Sequence, residues 1–148
     1  MEALLKQCPV MVLRRQIDHG GAELPWTAGI ADQRLSRAVE AIFDRPQSAW
    51  SVQRLADIAG MSRSAFAARF EVAFDQSPMA MLKVVRLRKA GELLATTTLQ
   101  VSEVARAVGF SSRSNFSQAF AKLHGWDPTA FRNRSRSKNT LSRFTSTE

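Results

Sequence analysis

The sequence predicts an all-α fold in which two helix-turn-helix units are joined by one long linker helix. Apolar residues recur with helical spacing, strand signals are nearly absent, and one residue pattern occurs twice. The first copy is Val52, Leu55, Ala56, Gly60, Phe66, Phe70 and Pro78, and the second is Val101, Val104, Ala105, Gly109, Phe116, Phe120 and Pro128. Each copy is typical of a short helix, a glycine turn and a second helix. The glycines lie 49 residues apart and the first phenylalanines 50, so the second copy has one extra residue just after Gly109.

The composition favours a nucleic-acid-binding protein. The chain has 148 residues, 45% of them hydrophobic, a net charge of +8 and a pI of about 11.0. This length allows one globular domain or two very small subdomains. An excess of positive charge of this size usually serves a phosphate backbone, and less often an anionic membrane surface. The single cysteine, Cys8, excludes a disulfide framework, and no apolar run approaches the roughly 18 residues of a membrane span, so we expect a cytoplasmic protein without membrane contact.

The segment before the repeat is predicted to contain two helices. Residues 3–18 can form a helix interrupted near Pro9, and residues 19–21, His-Gly-Gly, end it. Asp32 is a candidate N-cap for a helix over residues 33–43.

Serines and glycines mark the ends of the helices in both units. Ser51 and Ser62 are predicted caps, and Gly60 provides the left-handed turn between their helices. The predicted helices cover residues 52–59, 63–74, 79–95, 101–108, 112–123 and 128–131. The domain over 31–132 therefore comprises a first unit at 33–78, a linker helix at 79–95 and a second unit at 99–132, and residues 133–148 form a basic tail expected to be disordered.

Residues 33–132 resemble the DNA-binding domain of the AraC/XylS family of bacterial transcriptional regulators. The most specific part is the second unit, with the segments ARAVGF, FSQAF and GWDP. The resemblance implies a homeodomain-like, AraC-type helical fold and a function as a sequence-specific regulator, for example an activator. It also implies double-stranded DNA as the partner, and RNA polymerase as the protein that is recruited or blocked.

The N-terminal 30 residues resemble the end of the cupin-type sensor found in one subgroup of that family. They are therefore interpreted as a remnant of the last sensor helix and a connector. Under this interpretation the chain is a truncated regulator; the alternative is a stand-alone DNA-binding protein.

The candidate DNA-contacting residues lie on the second helix of each unit, opposite its phenylalanines. They are Ser62, Arg63, Ser64, Ala67 and Ala68 in the first unit, and Ser112, Arg113, Ser114, Asn115 and Gln118 in the second. Arginine can bind guanine through two hydrogen bonds, and Asn or Gln can bind adenine in the same way. The two serines at the helix starts can bring helix N-termini to phosphates. For the phenylalanines we favour core packing over wedging between bases.

Three positions depart from the family pattern, and the basic residues outside the second helix of each unit are open to two interpretations. Ala68 and Gln118 stand where the family often has arginine, and Asp75 stands where it commonly has glycine, so some backbone strain is expected there. The basic residues Arg132, Arg134, Arg136, Lys138 and Arg143 are either phosphate contacts or solvated. On the linker helix, Arg86 is a candidate for an internal pair, and Gly91 costs roughly 1 kcal/mol relative to alanine.

The sequence contains no pattern that indicates an enzyme, a metal site or a cofactor. His19 and His124 are isolated from other metal-ligand residues, and there is no phosphate-binding glycine loop. Two alternative functions remain. One is pairing with a full-length relative, or with a second copy, through residues 3–18, and the other is nonspecific architectural binding to nucleic acid.

Overall fold

The computed structural model describes residues 32–144, and the side chains of these residues as far as 138. The predicted helix over 3–18, the break after it and the sensor-like connector lie outside the described residues. The described part is helical and contains no strand. Its helices are α1 (Gln33–Asp44), α2 (Val52–Ala59), α3 (Arg63–Phe74), α4 (Pro78–Thr96), α5 (Val101–Ala107), α6 (Arg113–His124) and α7 (Pro128–Phe144).

Short polar side chains fix where the helices begin. Ser51, Ser62 and Ser112 each accept a hydrogen bond from the backbone N–H three residues further on, at 3.2–3.3 Å. Asp32 accepts from the backbone N–H of Arg34 at 3.0 Å. Each bond satisfies an N–H that the first helical turn leaves without a partner. The predicted caps Asp32, Ser51 and Ser62 are confirmed, and Ser112, predicted as the first residue of its helix, is the cap before it.

Two hydrophobic cores share α4. The first core lies among α1, α2 and α3 and takes Met81 and Leu82 from the beginning of α4. The second core lies between α5 and α6 and takes Leu87, Ala90 and Leu94 from the end of α4. Thus α4 is both the last helix of the first unit and the first helix of the second.

The four repeated phenylalanines are core residues. Phe66, Phe70, Phe116 and Phe120 are all 0% exposed, and the two rings within each helix lie 5.5 Å apart. Burial of each ring stabilises the fold by roughly 1.5–3 kcal/mol. The prediction of core packing, rather than wedging between bases, is confirmed.

The hydrogen bonds of the two turns locate the extra residue of the second unit. The N–H of Met61 donates to the carbonyl of Ala56 at 3.0 Å, and the N–H of Phe110 donates to the carbonyl of Ala105 at 2.9 Å. Phe110 thus occupies the place of Met61, while Ser112 is the cap equivalent to Ser62. The extra residue is therefore the exposed Ser111, where one more residue lengthens the turn without disturbing either helix.

Arg86 lies on α4 between the two cores and contacts both units. Its Nε donates to the carbonyl of Pro46 at 2.6 Å and its Nη2 to the carbonyl of Ser48 at 2.8 Å, both in the connector between α1 and α2. The same guanidinium packs on Gly109 of the second unit, where an added Cβ would lie 3.0 Å from the guanidinium carbon. Burial lowers the pKa of Arg86. The sequence predicts an internal pair for Arg86, and the structure identifies its partners as these two carbonyls.

A histidine and a glycine bring α6 close to α4. The Nε2 of His124 lies 3.1 Å from the carbonyl oxygen of Leu87, and the imidazole lies 4.2 Å from the Phe120 ring. A Cβ on Gly91 would lie 3.3 Å from His124 Cε1, so an alanine there would crowd the imidazole. The helix propensity lost at Gly91 is therefore offset by close packing.

Helix α7 continues to Phe144, so the predicted helix end at Phe131 and the disordered tail after it are wrong for residues 133–144. Arg132 donates hydrogen bonds to the carbonyls of Leu94 and Leu99, and the Arg134 guanidinium lies 4.1 Å from the centre of the Trp126 ring. These contacts hold the turn that follows Phe131, and the arginines and lysines beyond it favour helix. Arg132 is thus an internal anchor, and its side chain is only half-exposed.

The described residues also show what this fold does not contain. None of their helices has the length and apolar character needed to cross a membrane. Within residues 32–144 no three His, Cys, Asp or Glu side chains come together as a metal site would require.

Asp75 adopts a left-handed conformation with φ of 55°, and we predict that Asp75→Gly stabilises the protein. Gly125, the equivalent residue of the second unit, has φ of 76°. Glycine removes both the left-handed strain and a negative charge at the C-terminus of α3, against a smaller cost in unfolded-chain entropy, for a net gain of about 1 kcal/mol. Urea unfolding measures this gain. Asp75→Asn should give only the charge contribution, and a destabilised glycine variant would contradict the strain.

Arg86→Met should destabilise the fold by roughly 2 kcal/mol. The substitution keeps an apolar stem but leaves the two connector carbonyls without their charged donor. Urea unfolding measures the loss, and Arg88→Met, at an exposed position of the same helix, is the matched control. Equal stability of the two variants would show that the Arg86 hydrogen bonds contribute nothing.

Candidate nucleic-acid interface

The ten predicted DNA-contacting residues lie on the solvent side of the two units. In the first unit Ser62, Arg63, Ser64 and Ala68 are exposed and Ala67 is half-buried; in the second, Arg113, Ser114, Asn115 and Gln118 are exposed and Ser112 is half-buried. The buried phenylalanines fix this orientation, because they hold the opposite face of each helix against its core. We define these ten residues as the candidate interface. Their role in DNA contact stays a prediction.

The two halves of the candidate interface differ in chemistry. Helix α6 presents a guanidinium and two side-chain amides, on Arg113, Asn115 and Gln118, which suit hydrogen bonding to guanine and adenine. Helix α3 presents the guanidinium of Arg63 but methyl groups at Ala67 and Ala68. Methyl groups suit contact with the C5-methyl of thymine. The second unit is therefore equipped for hydrogen bonding to bases, and the first for phosphate and apolar contact.

The hydroxyls of Ser62 and Ser112 can bind phosphate while they cap their helices. Each oxygen accepts a backbone N–H at 3.3 Å, from Ala65 and Asn115 respectively. A hydroxyl that accepts one bond still has its own proton to donate. Because the N-terminus of a helix also carries partial positive charge, each serine marks a suitable place for a phosphate oxygen.

Ser117 and Arg69 are polar residues of α6 and α3 that the sequence analysis did not single out. Ser117 occupies the place in α6 that Ala67 occupies in α3, so the 50-residue offset of the repeat could have identified it. Arg69 is exposed on α3, and its Nη1 lies 3.7 Å from the Oδ2 of Asp32 at the start of α1. No periodic signal could have paired these residues, because the contact depends on how α1 packs against α3.

The length of α4 and the Arg86 contacts set the separation of the two recognition helices. Its 19 residues correspond to about 28 Å at 1.5 Å per residue. Successive major grooves on one face of a duplex lie roughly 34 Å apart. With the width of the packed units added, the two helices can reach adjacent grooves, and Arg86 restrains their relative orientation.

A groove of about 450 Å³ runs between the first half of α4 and the exposed face of α6. We call it the α4–α6 groove; its lining residues are Lys83, Phe110, Asn115, Gln118, Ala119 and Lys122. Asn115 and Gln118 thus belong both to the candidate interface and to this groove. Lys83 and Lys122 are exposed basic residues that were not among the predicted DNA-contacting residues.

Comparison with known proteins identifies relatives of this chain. A helix-turn-helix domain model matches residues 55–134. The chain is 39% identical over 110 residues to the HTH-type transcriptional regulator AlkR of Acinetobacter baylyi; the aligned region covers 74% of this chain and 36% of that protein. It is 34% identical over 124 residues to a putative AraC-like transcription regulator of Streptomyces lividans; here the aligned region covers 83% of this chain and 41% of the relative. The chain therefore spans little more than a third of the length of these relatives.

The fold is also similar to that of a DNA complex. The DNA-binding domain of AdpA, a global transcriptional factor, solved in complex with a target DNA, matches with a TM-score of 0.66 and 30% identity. The match covers 70% of this chain and 93% of the solved chain. Nearly the whole of that solved domain thus has a counterpart in this chain.

Proposed function

The chain belongs to the AraC/XylS family of transcriptional regulators, and we propose that it binds specific duplex DNA sequences and regulates transcription there. The observation that carries the proposal is the pair of recognition helices, α3 and α6, exposed on their polar sides and joined through one shared helix. The likeness to the AdpA domain, which was solved with its target DNA, supports duplex DNA as the partner.

In this mechanism α3 and α6 enter two successive major grooves on one face of the duplex. Serine hydroxyls at the helix starts and exposed arginines bind phosphates and set the position of the protein. Arg113 and Asn115 then bind base edges, while Ala67 and Ala68 contact thymine methyl groups. A bend in the DNA would ease the fit of two helices whose separation is fixed.

The effect on transcription follows from where the protein binds. A bound regulator would recruit RNA polymerase to a promoter or block it, and no catalytic step is part of this function. Binding to chromosomal DNA would place the protein in the bacterial cytoplasm.

Selection of bound sequences from a random duplex library, with the full chain at about 150 mM salt, tests the proposal. We expect enrichment of two short motifs whose centres lie about one helical turn apart. Salt-sensitive binding without any enriched motif would overturn the proposal in favour of architectural binding. Enrichment of a single motif would contradict base contact by the first unit.

Arg113→Ala should weaken specific binding by about 1–3 kcal/mol and relax the preference at one base pair of one motif. Arg113→Lys keeps the charge but loses the planar pair of donors, so we expect relaxed specificity with an unchanged salt dependence. Arg63→Ala should lower the affinity for every duplex by a similar factor, because a phosphate contact carries no sequence information. Binding isotherms with matched and single-mismatch duplexes measure these effects. An unchanged preference in Arg113→Ala would exclude its base contact.

A further inference from the structure

The α4–α6 groove has the chemistry of an anion site. Two ammonium groups, on Lys83 and Lys122, and two side-chain amides, on Asn115 and Gln118, line a depression backed by apolar side chains. Ammonium and amide N–H groups are hydrogen-bond donors. A ligand that satisfies several donors at once needs several acceptor oxygens, as a phosphate group has.

The two lysines have no acidic partner within the described part of the chain. No carboxylate of residues 32–138 comes within ion-pair distance of either ammonium, whereas Lys89, on the same helix as Lys83, pairs with Glu92 at 3.1 Å. The positive charge of the groove is therefore not compensated locally.

The first unit has no equivalent of this site. The positions that correspond to Asn115, Gln118 and Lys122 through the 50-residue offset are Ala65, Ala68 and Val72. Val72 is 78% exposed, so this face of α3 presents apolar atoms to solvent. The guanidinium of Arg69, on the same helix, is paired with Asp32 at 3.7 Å. The polar lining is thus specific to the second unit and is not a by-product of the repeated fold.

We propose that the α4–α6 groove binds a backbone phosphate of the DNA strand that runs between the two major grooves. The inference rests on the proposed function and adds to it a particular strand and a set of positioning residues. Two successive major grooves on one face of a duplex are separated by a minor groove with a phosphate strand on each side. Because α4 joins the two recognition helices, it lies over that minor groove, and its Lys83 faces α6 across the strand that borders the groove occupied by α6.

This assignment changes the role of Gln118. Its amide lines the phosphate site together with Lys122, one helical turn further along α6. Gln118 therefore acts as a positioning residue at the phosphate, and base contact in the second unit depends on Arg113, which lies nearer the start of the helix and outside the groove lining, with Asn115 between the two sites.

The test compares two double variants that lose the same charge. Lys83→Gln with Lys122→Gln removes both ammonium groups of the groove, and Lys89→Gln with Arg37→Gln removes two exposed cations elsewhere. Affinity is measured between 50 and 200 mM salt on the selected duplex and on an unrelated one, after thermal melting shows that all variants fold. Each lost phosphate contact lowers the slope of log affinity against log salt by about 0.9.

Because the groove is proposed to bind one phosphate, we expect the slope of the groove variant to be less steep by about 0.9 on both duplexes. Between 50 and 200 mM salt its affinity should then fall by a factor roughly three to four times smaller than that of the wild type. The control variant should keep most of the wild-type slope. Equal slopes in the two variants would overturn the phosphate site. A wild type that binds both duplexes equally would refute the proposed function, while the slopes would still test the groove.

A second measurement separates backbone phosphate from free phosphate. The side-chain amide signal of Gln118 is followed by NMR while either duplex or inorganic phosphate is added. We expect the duplex to shift it and inorganic phosphate at millimolar concentration to leave it unchanged. Saturable binding of inorganic phosphate, with no shift on addition of duplex, would overturn the assignment to DNA.

Discussion

The arrangement of the two units depends on the side chain of Arg86. It lies where α4 passes from the first core to the second, between Leu82 and Leu87. Two carbonyls of the first unit accept its hydrogen bonds, and the backbone of Gly109 in the second unit packs on its guanidinium. A guanidinium stays charged even where burial lowers its pKa, so the two carbonyls keep a charged donor.

In two further contacts between the second unit and α4, a polar side chain again binds a backbone carbonyl. His124 lies against the carbonyl of Leu87 because Gly91 leaves room for the imidazole, and Arg132 of α7 binds the carbonyls at and beyond the end of α4. Polar side chains satisfy backbone groups that the short helices leave open, while the buried side chains of the two cores, the four phenylalanines among them, supply the apolar stabilisation. A domain with helices as short as α2 and α5 needs both the polar contacts to its backbone and the apolar burial.

The helices and cores could be predicted from the sequence because their signals are local. Ser62 and Ser112 determine where their helices start, and the spacing of Phe66 and Phe70 determines which face is buried. The partners of Arg86 lie about forty residues away in sequence, and the extension of α7 depends on contacts of Arg132 with the distant connector before α5. The proposed role of Lys83 is not predictable from the sequence either, because the groove forms only when α4 and α6 pack together. The exposed side of α6 follows from its periodicity, but the proposed assignment of base contact to Arg113 and phosphate contact to Gln118 does not.

Under the proposed function, the shared helix also limits how the DNA sequence that the protein binds can change during evolution. One residue inserted into α4 would move the second unit by about 1.5 Å and turn it by roughly 100°, away from the face of the duplex that the first unit occupies. The same insertion would carry Arg86 off the carbonyls of the α1–α2 connector. Substitutions on α3 and α6 can therefore alter which bases are preferred, one at a time, but the distance between the two binding motifs cannot drift gradually. Promoters recognised by descendants of this protein should vary in sequence while they keep the same spacing.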